Sequence, residues 1–237
     1  MTTRKRWLRR ALLSSALLLP LSALAQDACP PEGTDASSLA LLKEQRFAID
    51  DVAVRDALAM GLLGCLSSPD PVLRDGIAYE AFTQWLRNDQ LQPEVRAELR
   101  DRLYKMLKEA DEGGFRQPFA ALVLSEVART DRISPWMSPA ERVAMVKAAT
   151  QYLRSVTDYR GFDNAEGWRH GVAHGSDWLL QLALNPGVER AQLDQMLDAI
   201  ATQVVPESGH AYVFGEPGRL ARPVLYIAKR GLLSEAE

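Results

Sequence analysis

Two of the three histidines in this 237-residue chain lie four residues apart, in the segment GWRHGVAHGSDW. On a helix, His170 and His174 would share one face, and Asp177 would follow on the same face, since each residue turns by about 100°. Zinc accepts two imidazoles at this spacing together with a carboxylate. The same groups could also form a metal-free polar pocket, or hydrogen-bond within a buried core. The residue types therefore mark a candidate site and leave these three roles open.

Glycines recur beside the histidines. Gly167, Gly171 and Gly175 lie on the helix that the pattern predicts over residues 166–184. Each glycine inside a helix costs roughly 0.5–1 kcal/mol relative to alanine, so three of them need a compensating gain. Either a neighbouring helix packs closely there, or a ligand occupies a cavity that Gly171 and Gly175 line.

A second polar segment, residues 207–219, contains the third histidine and several glycines. It is predicted to be a loop before the last helix, and loops of this kind often form the wall of a site. We expect it to face the polar stripe of the histidine helix. The predicted ligand-binding residues are His170, Gly171, His174, Gly175, Asp177, His210, Glu216 and Arg219. The metal hypothesis concerns His170, His174 and Asp177, with zinc as the candidate cofactor.

The elements that would position these residues are helices. Apolar residues recur at three- and four-residue spacing along most of the chain, which predicts about nine helices and almost no sheet. Asp70 is a predicted N-cap, and Ser138 with Glu141 is a predicted capping box. Prolines open four of the helices at intervals of 21 to 25 residues: Pro71, Pro93, Pro118 and Pro139. Two such helices form a unit of roughly 45 residues, the length of a HEAT-type repeat. The predicted fold is an all-α superhelix of stacked helix pairs, with an irregular helical bundle as the alternative.

The first 25 residues predict a secretory signal peptide. Five basic residues precede a short apolar run, and an Ala-Leu-Ala sequence ends at residue 25. General secretion fits better than twin-arginine export, and a retained N-terminal anchor is the alternative. We expect a flexible mature N-terminus over 26–34 and one helical domain over 35–237, in the periplasm or outside the cell.

The cysteines and the charge agree with export. Cys29 and Cys65 would both remain after cleavage, and an even number in an oxidising compartment predicts a disulfide. The alternative is a buried free Cys65 and a loose Cys29. The chain has 28 basic and 31 acidic residues, and loss of the signal would leave a net charge of −8. This charge argues against nucleic acid as a partner. No later run is apolar enough to predict a membrane span.

Two segments, DPVLRDGIAYEAFTQWL and RGFDNAEGWRHGVAHGSDWLLQLALNP, resemble the bacterial domain of unknown function 2785 family. The resemblance extends from about residue 40 to the C-terminus. It rests on the following residues: Asp70, Pro71, Arg74, Asp75, Arg160, Gly161, Phe162, Gly167, Trp168, His170, Ala173, His174, Gly175 and Asp177. The resemblance implies an all-helical, superhelical fold and no particular activity.

Two classes of function follow from the sequence. The favoured one is an exported binding or scaffold protein with a polar pocket at the histidine helix, whose partner is a protein or small molecule of the cell envelope. The alternative is a metal-assisted hydrolase that uses His170, His174 and Asp177. The chain contains no Gly-x-Ser-x-Gly elbow, P-loop or dinucleotide fingerprint.

Overall fold

Nine α-helices make up most of residues 28–233, the part of the chain that the computed structural model describes. The predicted signal peptide, residues 1–25, lies outside the described residues. The helices are α1 Ala36–Glu44, α2 Val52–Gly61, α3 Glu80–Arg87, α4 Pro93–Met106, α5 Arg116–Ile133, α6 Pro139–Ser155, α7 Gly171–Ala183, α8 Arg190–Val204 and α9 Glu216–Lys229. A 3-10 helix spans Leu62–Ser67, and a π-helix spans Val72–Tyr79. The short strands β1 Phe162–Asp163 and β2 Gly167–Trp168 form an antiparallel hairpin. No helix within 28–233 is long and apolar enough to cross a membrane.

The helices stack as pairs, so the predicted fold class is confirmed. Helices α3, α5, α7 and α9 pack side by side in one layer, and α6 packs along α8 in a second layer. Consecutive helices connect the layers, because α4 packs on α5, α6 on α7 and α8 on α9. Helix α7 occupies the centre, since it contacts α5, α6, α8 and α9.

Local sequence explains where several helices begin. Ser138 Oγ accepts the Glu141 backbone N–H, and Glu141 Oε2 accepts the Ser138 N–H at 2.8 Å, so the predicted capping box forms. Asp70 Oδ1 accepts the Val72 N–H at 2.8 Å, as expected for an N-cap. Buried apolar side chains form one cluster that runs from Leu39 in α1 to Ile227 in α9.

The predicted disulfide is present. Cys29 and Cys65 are bonded, and their Cα atoms lie 4.9 Å apart. Cys65 is fully buried in the 3-10 helix, and Pro31 is buried against Gly61 at the end of α2. Residues 28–34 of the N-terminal segment are therefore anchored to the domain.

Candidate functional site at the start of helix α7

The predicted helix over 166–184 is wrong at its N-terminal end, because a hairpin replaces its first turn. Asp163 Oδ1 accepts the N–H groups of Ala165 and Glu166 at 2.8 and 3.0 Å, which closes the turn between β1 and β2. Gly167 has a φ of +74°, which an α-helix does not contain. The hairpin pairing continues as the His170 N–H donates to the Arg160 carbonyl at 3.1 Å. Helix α7 begins only at Gly171.

His170 is the N-cap residue of α7 and adopts the left-handed conformation, with φ 57° and ψ 38°. This conformation is uncommon for a residue other than glycine, and residues strained in this way cluster at functional sites. The imidazole lies parallel to the indole of Trp168, with ring centroids 4.6 Å apart and planes inclined by 19°. Phe214 meets the same indole edge-on at 5.7 Å. The hairpin thus stacks Trp168 on His170, and Phe214 in turn packs against Trp168.

One nitrogen of the His170 ring is buried without a hydrogen-bond partner among the described residues. That atom, Nε2, lies 3.5 Å from Oε1 of Glu216, and both side chains are more than nine-tenths buried. The other oxygen of Glu216 accepts the Phe214 backbone N–H at 2.9 Å. Burial lowers the pKa of His170, and the charge of Glu216 opposes that shift. The neutral ring therefore places an available nitrogen opposite a carboxylate oxygen.

His174 lies on α7, and its ring is buried against α5. Its Nδ1 lies 3.2 Å from the Pro118 carbonyl, and Phe119 contacts the ring edge-on at 5.2 Å. Because a carbonyl oxygen only accepts, Nδ1 carries the proton in the neutral ring. Burial lowers the pKa of His174 to about 3. His174 therefore stays neutral near pH 7 and serves the packing of α7 on α5.

Asp177 pairs with Arg219 rather than with a histidine. The Arg219 guanidinium donates to Asp177 Oδ2 and joins α7 to α9. Burial raises the pKa of Asp177, and Arg219 opposes that shift. Within residues 28–233, no three His, Cys, Asp or Glu side chains are grouped so that they could hold a metal ion. The metal hypothesis for His170, His174 and Asp177 therefore gains no support from this arrangement.

The glycines of α7 accommodate helix α6. A Cβ atom at Gly171 would lie 3.2 Å from the Tyr152 hydroxyl and 3.3 Å from Val156 Cγ1. At Gly175 it would lie 3.0 Å from Tyr152 Cε1 and 3.2 Å from Leu153 Cδ1. The geometry thus favours close helix packing over a cavity lined by both glycines. Only Gly171 also lines the crevice at His170.

The predicted wall segment, residues 207–219, reaches His170 and Asp177. Glu216 faces His170, and Arg219 faces Asp177. His210 lies further out and stacks on Tyr159, with ring centroids 5.0 Å apart and planes inclined by 14°. A narrow crevice remains beside His170, too tight for a water molecule in this conformation. Its lining consists of Tyr159, Arg160, His170, Gly171, Val172, Tyr212 and Glu216.

Gly161 explains how the wall segment seats against the hairpin. A Cβ atom at this position would lie 2.0 Å from Phe214 Cδ2, so only glycine leaves room for the ring. Phe214 and the crevice tyrosines, Tyr159 and Tyr212, were not among the predicted site residues. Their aromatic character and their nearness to glycines were the only signal, since Tyr212 and Phe214 lie among the glycines of 209–218 and Tyr159 lies two residues before Gly161.

Arg74 connects the N-terminal helices to the hairpin. Its buried guanidinium donates to the carbonyls of Ser68 and Glu166 at 2.8 and 2.7 Å, across 92 residues of sequence in the second case. It also lies 4.1 Å above the ring centre of Phe115, while Arg169 lies 4.2 Å from the same centre. Arg74 therefore supports the turn that presents Trp168 and His170, and it does not reach the crevice lining.

Comparison with known proteins gives the family. Residues 103–237 match the family model described as "Protein of unknown function (DUF2785)". The match covers more than half of the chain, so this chain belongs to that family. It includes the hairpin, α7 and the wall segment, whereas Asp70, Pro71, Arg74 and Asp75 precede it. No curated protein and no solved structure matched the chain.

Proposed function

We propose that this chain is an exported ligand-binding protein of the cell envelope, and that its ligand contacts the His170–Glu216 pair. The observation that carries the proposal is the buried, unpartnered Nε2 of His170, 3.5 Å from the Glu216 carboxylate. A buried polar atom without a partner costs free energy, roughly 1–3 kcal/mol, which a ligand donor group would recover. The Glu216 carboxylate accepts hydrogen bonds, and Nε2 of neutral His170 also accepts one in the tautomer that carries the proton on Nδ1, so the complementary ligand group is a hydroxyl or an ammonium.

Access requires the wall segment to move. Tyr212 and Glu216 contribute one side of the crevice, and Phe214 covers Trp168. Gly209 and Gly215 both have positive φ, and a Cβ atom at either position would meet nothing within 4 Å. Glycines with free space at the two ends of a segment suit a hinged motion. We propose that residues 209–215 open to admit the ligand and close over it.

A screen of small hydroxyl and amine compounds tests this binding site. The readout is the midpoint of thermal unfolding, since a ligand that binds only the folded state raises it. The decisive variant is His170→Asn, because asparagine tolerates the left-handed conformation and lacks the imidazole. The matched control is Arg46→Asn, at an exposed residue that is also left-handed and lies outside the crevice lining and the wall segment. We expect a compound that raises the midpoint of the wild type and of Arg46→Asn but not that of His170→Asn. The proposal fails if no compound raises the wild-type midpoint, or if His170→Asn responds equally.

Export rests on separate support, the signal-like first 25 residues and the Cys29–Cys65 disulfide. Expression of the full chain in a Gram-negative host, followed by fractionation and mass spectrometry, tests it. We expect a periplasmic protein that lacks the first 25 residues. A full-length protein in the cytoplasmic fraction would contradict export without affecting the binding-site proposal.

No specific contact among residues 28–233 favours the hydrolase alternative. His174 donates to a backbone carbonyl inside the core, and Asp177 is paired with Arg219. Two of the three residues that it needs are therefore already engaged in holding α5, α7 and α9 together.

A further inference from the structure

A second cavity lies in the other layer of the stack, between α4 and α6. Near the start of α6, Arg100 Nη1 lies 2.8 Å from Glu141 Oε1 and ties the two helices together. Beyond this contact a groove of about 490 Å³ opens. Its lining consists of Tyr104, Leu107, Lys108, Ala144, Lys147, Ala148, Gln151, Tyr152 and Ser155. It shares no lining residue with the His170 crevice.

The walls of this groove are largely apolar. Tyr104 and Leu107 come from α4 and its C-cap, and Tyr152 comes from α6, on which Ala144 and Ala148 lie one turn apart. The small alanine side chains leave the space that a leucine at either position would fill. The volume falls within the roughly 300–1,000 Å³ that small-molecule sites occupy.

Two lysines bring positive charge to the groove from opposite sides. Lys108 follows α4, Lys147 lies on α6, and both side chains are exposed. Neither forms an ion pair among residues 28–233. Two neighbouring acids have other partners, because Asp101 pairs with Arg100 and Glu109 with Arg116. The lysine charges therefore remain available to a ligand.

We propose that the groove between α4 and α6 binds an amphiphile with one anionic head group and an aliphatic body. The head group, a carboxylate, lies between Lys108 and Lys147. The aliphatic body lies along Leu107, Ala144 and Ala148 and leaves water as it does so. Burial of apolar surface supplies most of the affinity, and the two lysines select the anion.

The proposal is tested with dodecanoate as the probe, by calorimetric titration of the full folded protein below the micellar concentration. We expect binding by the wild type and at least fivefold weaker binding by the double variant K108A/K147A. The matched control is Lys105→Ala, which removes an exposed lysine of α4 outside the groove lining. Dodecanol tests the head group, since it keeps the chain without the charge.

A variant that fills the groove tests the role of its apolar space while both lysines remain. Ala148→Met keeps a good helix former and fills the groove with a longer side chain, so we expect dodecanoate binding to be lost. Thermal unfolding of each variant shows that it is folded. The proposal is overturned if the wild type does not bind dodecanoate, if folded Ala148→Met binds it unchanged, or if K108A/K147A binds as tightly as Lys105→Ala. Equal affinity for dodecanol would also overturn it, because the lysines would then select nothing.

Discussion

The ring of Tyr152 occupies the space that a side chain at Gly175 would need. A Cβ atom on that glycine would lie 3.0 Å from Tyr152 Cε1, closer than such atoms normally approach. The same tyrosine donates its hydroxyl to the Gly171 carbonyl at 3.2 Å. Tyr152 is buried and its hydroxyl is bonded to Gly171, so moving the ring away from position 175 would strain or break that hydrogen bond. The glycines of α7 are thus explained by how closely α6 approaches.

Gly175→Ala should destabilise the protein although alanine is the better helix former. The steric cost of the added methyl group should exceed the propensity gain of roughly 1 kcal/mol, for a net loss of about 1–2 kcal/mol. Urea unfolding measures the difference. The matched control is Gly218→Ala in α9, where a Cβ atom would meet nothing within 4 Å and the substitution should stabilise slightly. A stabilised Gly175→Ala variant would show that the helices can separate at no cost.

Gly161→Ala should displace Phe214, because the new methyl group and the ring cannot both fit. We expect a loss of about 1–2 kcal/mol in the wild-type background and less than about 0.5 kcal/mol in a Phe214→Ala background. A double-mutant cycle of unfolding free energies measures this coupling. Equal costs in the two backgrounds would place the effect of Gly161 elsewhere.

His174 should make the protein less stable as the pH falls. Its pKa is about 3 in the folded state, against an ordinary value of 6.5, because burial opposes the charged ring. The unfolded chain therefore binds more protons between these values, and folding stability declines as the pH falls through that window. Each pH unit below 6.5 costs about 1.4 kcal/mol, so the loss at pH 5 is about 2 kcal/mol.

The variant His174→Gln isolates this contribution. It removes the titrating ring and retains a donor for the Pro118 carbonyl. Urea unfolding at pH 7 and pH 5 should show a pH-dependent loss that is smaller in the variant by about 2 kcal/mol. Identical losses in the two proteins would mean that carboxylates account for the pH dependence of stability. The buried Asp131, whose pKa is lowered by its hydrogen bond with Arg142, is one such group.

Much of the fold could be predicted because its signals are local. Capping residues at Ser138 and Asp70 and apolar periodicity define helices without reference to distant contacts. The sequence also predicted that the wall segment faces the polar residues of the histidine helix, and Glu216 and Arg219 do reach His170 and Asp177. Polar side chains on a largely apolar helix need partners, and few other segments offered them.

The hairpin before α7 could not be separated from helix by spacing alone. Its residues continue the four-residue glycine period, but the backbone at Gly167 and His170 turns left-handed. The sequence FDNAEG does contain turn residues, and Asp163 closes the turn. This local chemistry outweighs the apparent period, and it brings Trp168 onto His170. The glycines indicated a close neighbour of α7, but nothing in the sequence identified it as Tyr152, because that contact depends on how α6 is placed.

The disulfide should provide a large share of the stability of the N-terminal helices. Cys29 and Cys65 are separated by 36 residues, and closing a loop of that length removes unfolded-state entropy worth about 3–4 kcal/mol in the loop-entropy model. Opening it would also release Pro31 from its contact with Gly61.

We expect the variant Cys29→Ser/Cys65→Ser to unfold at a lower urea concentration than the oxidised wild type. The matched condition is the wild type in dithiothreitol. Its unfolding midpoint should fall towards that of the variant, whereas the midpoint of the variant should not change with the reductant. Thiol titration of the denatured, exported wild type should find no free thiol. Two free thiols there, or an unchanged unfolding midpoint in the variant, would mean that the bond contributes nothing to the stability of the protein in its own compartment.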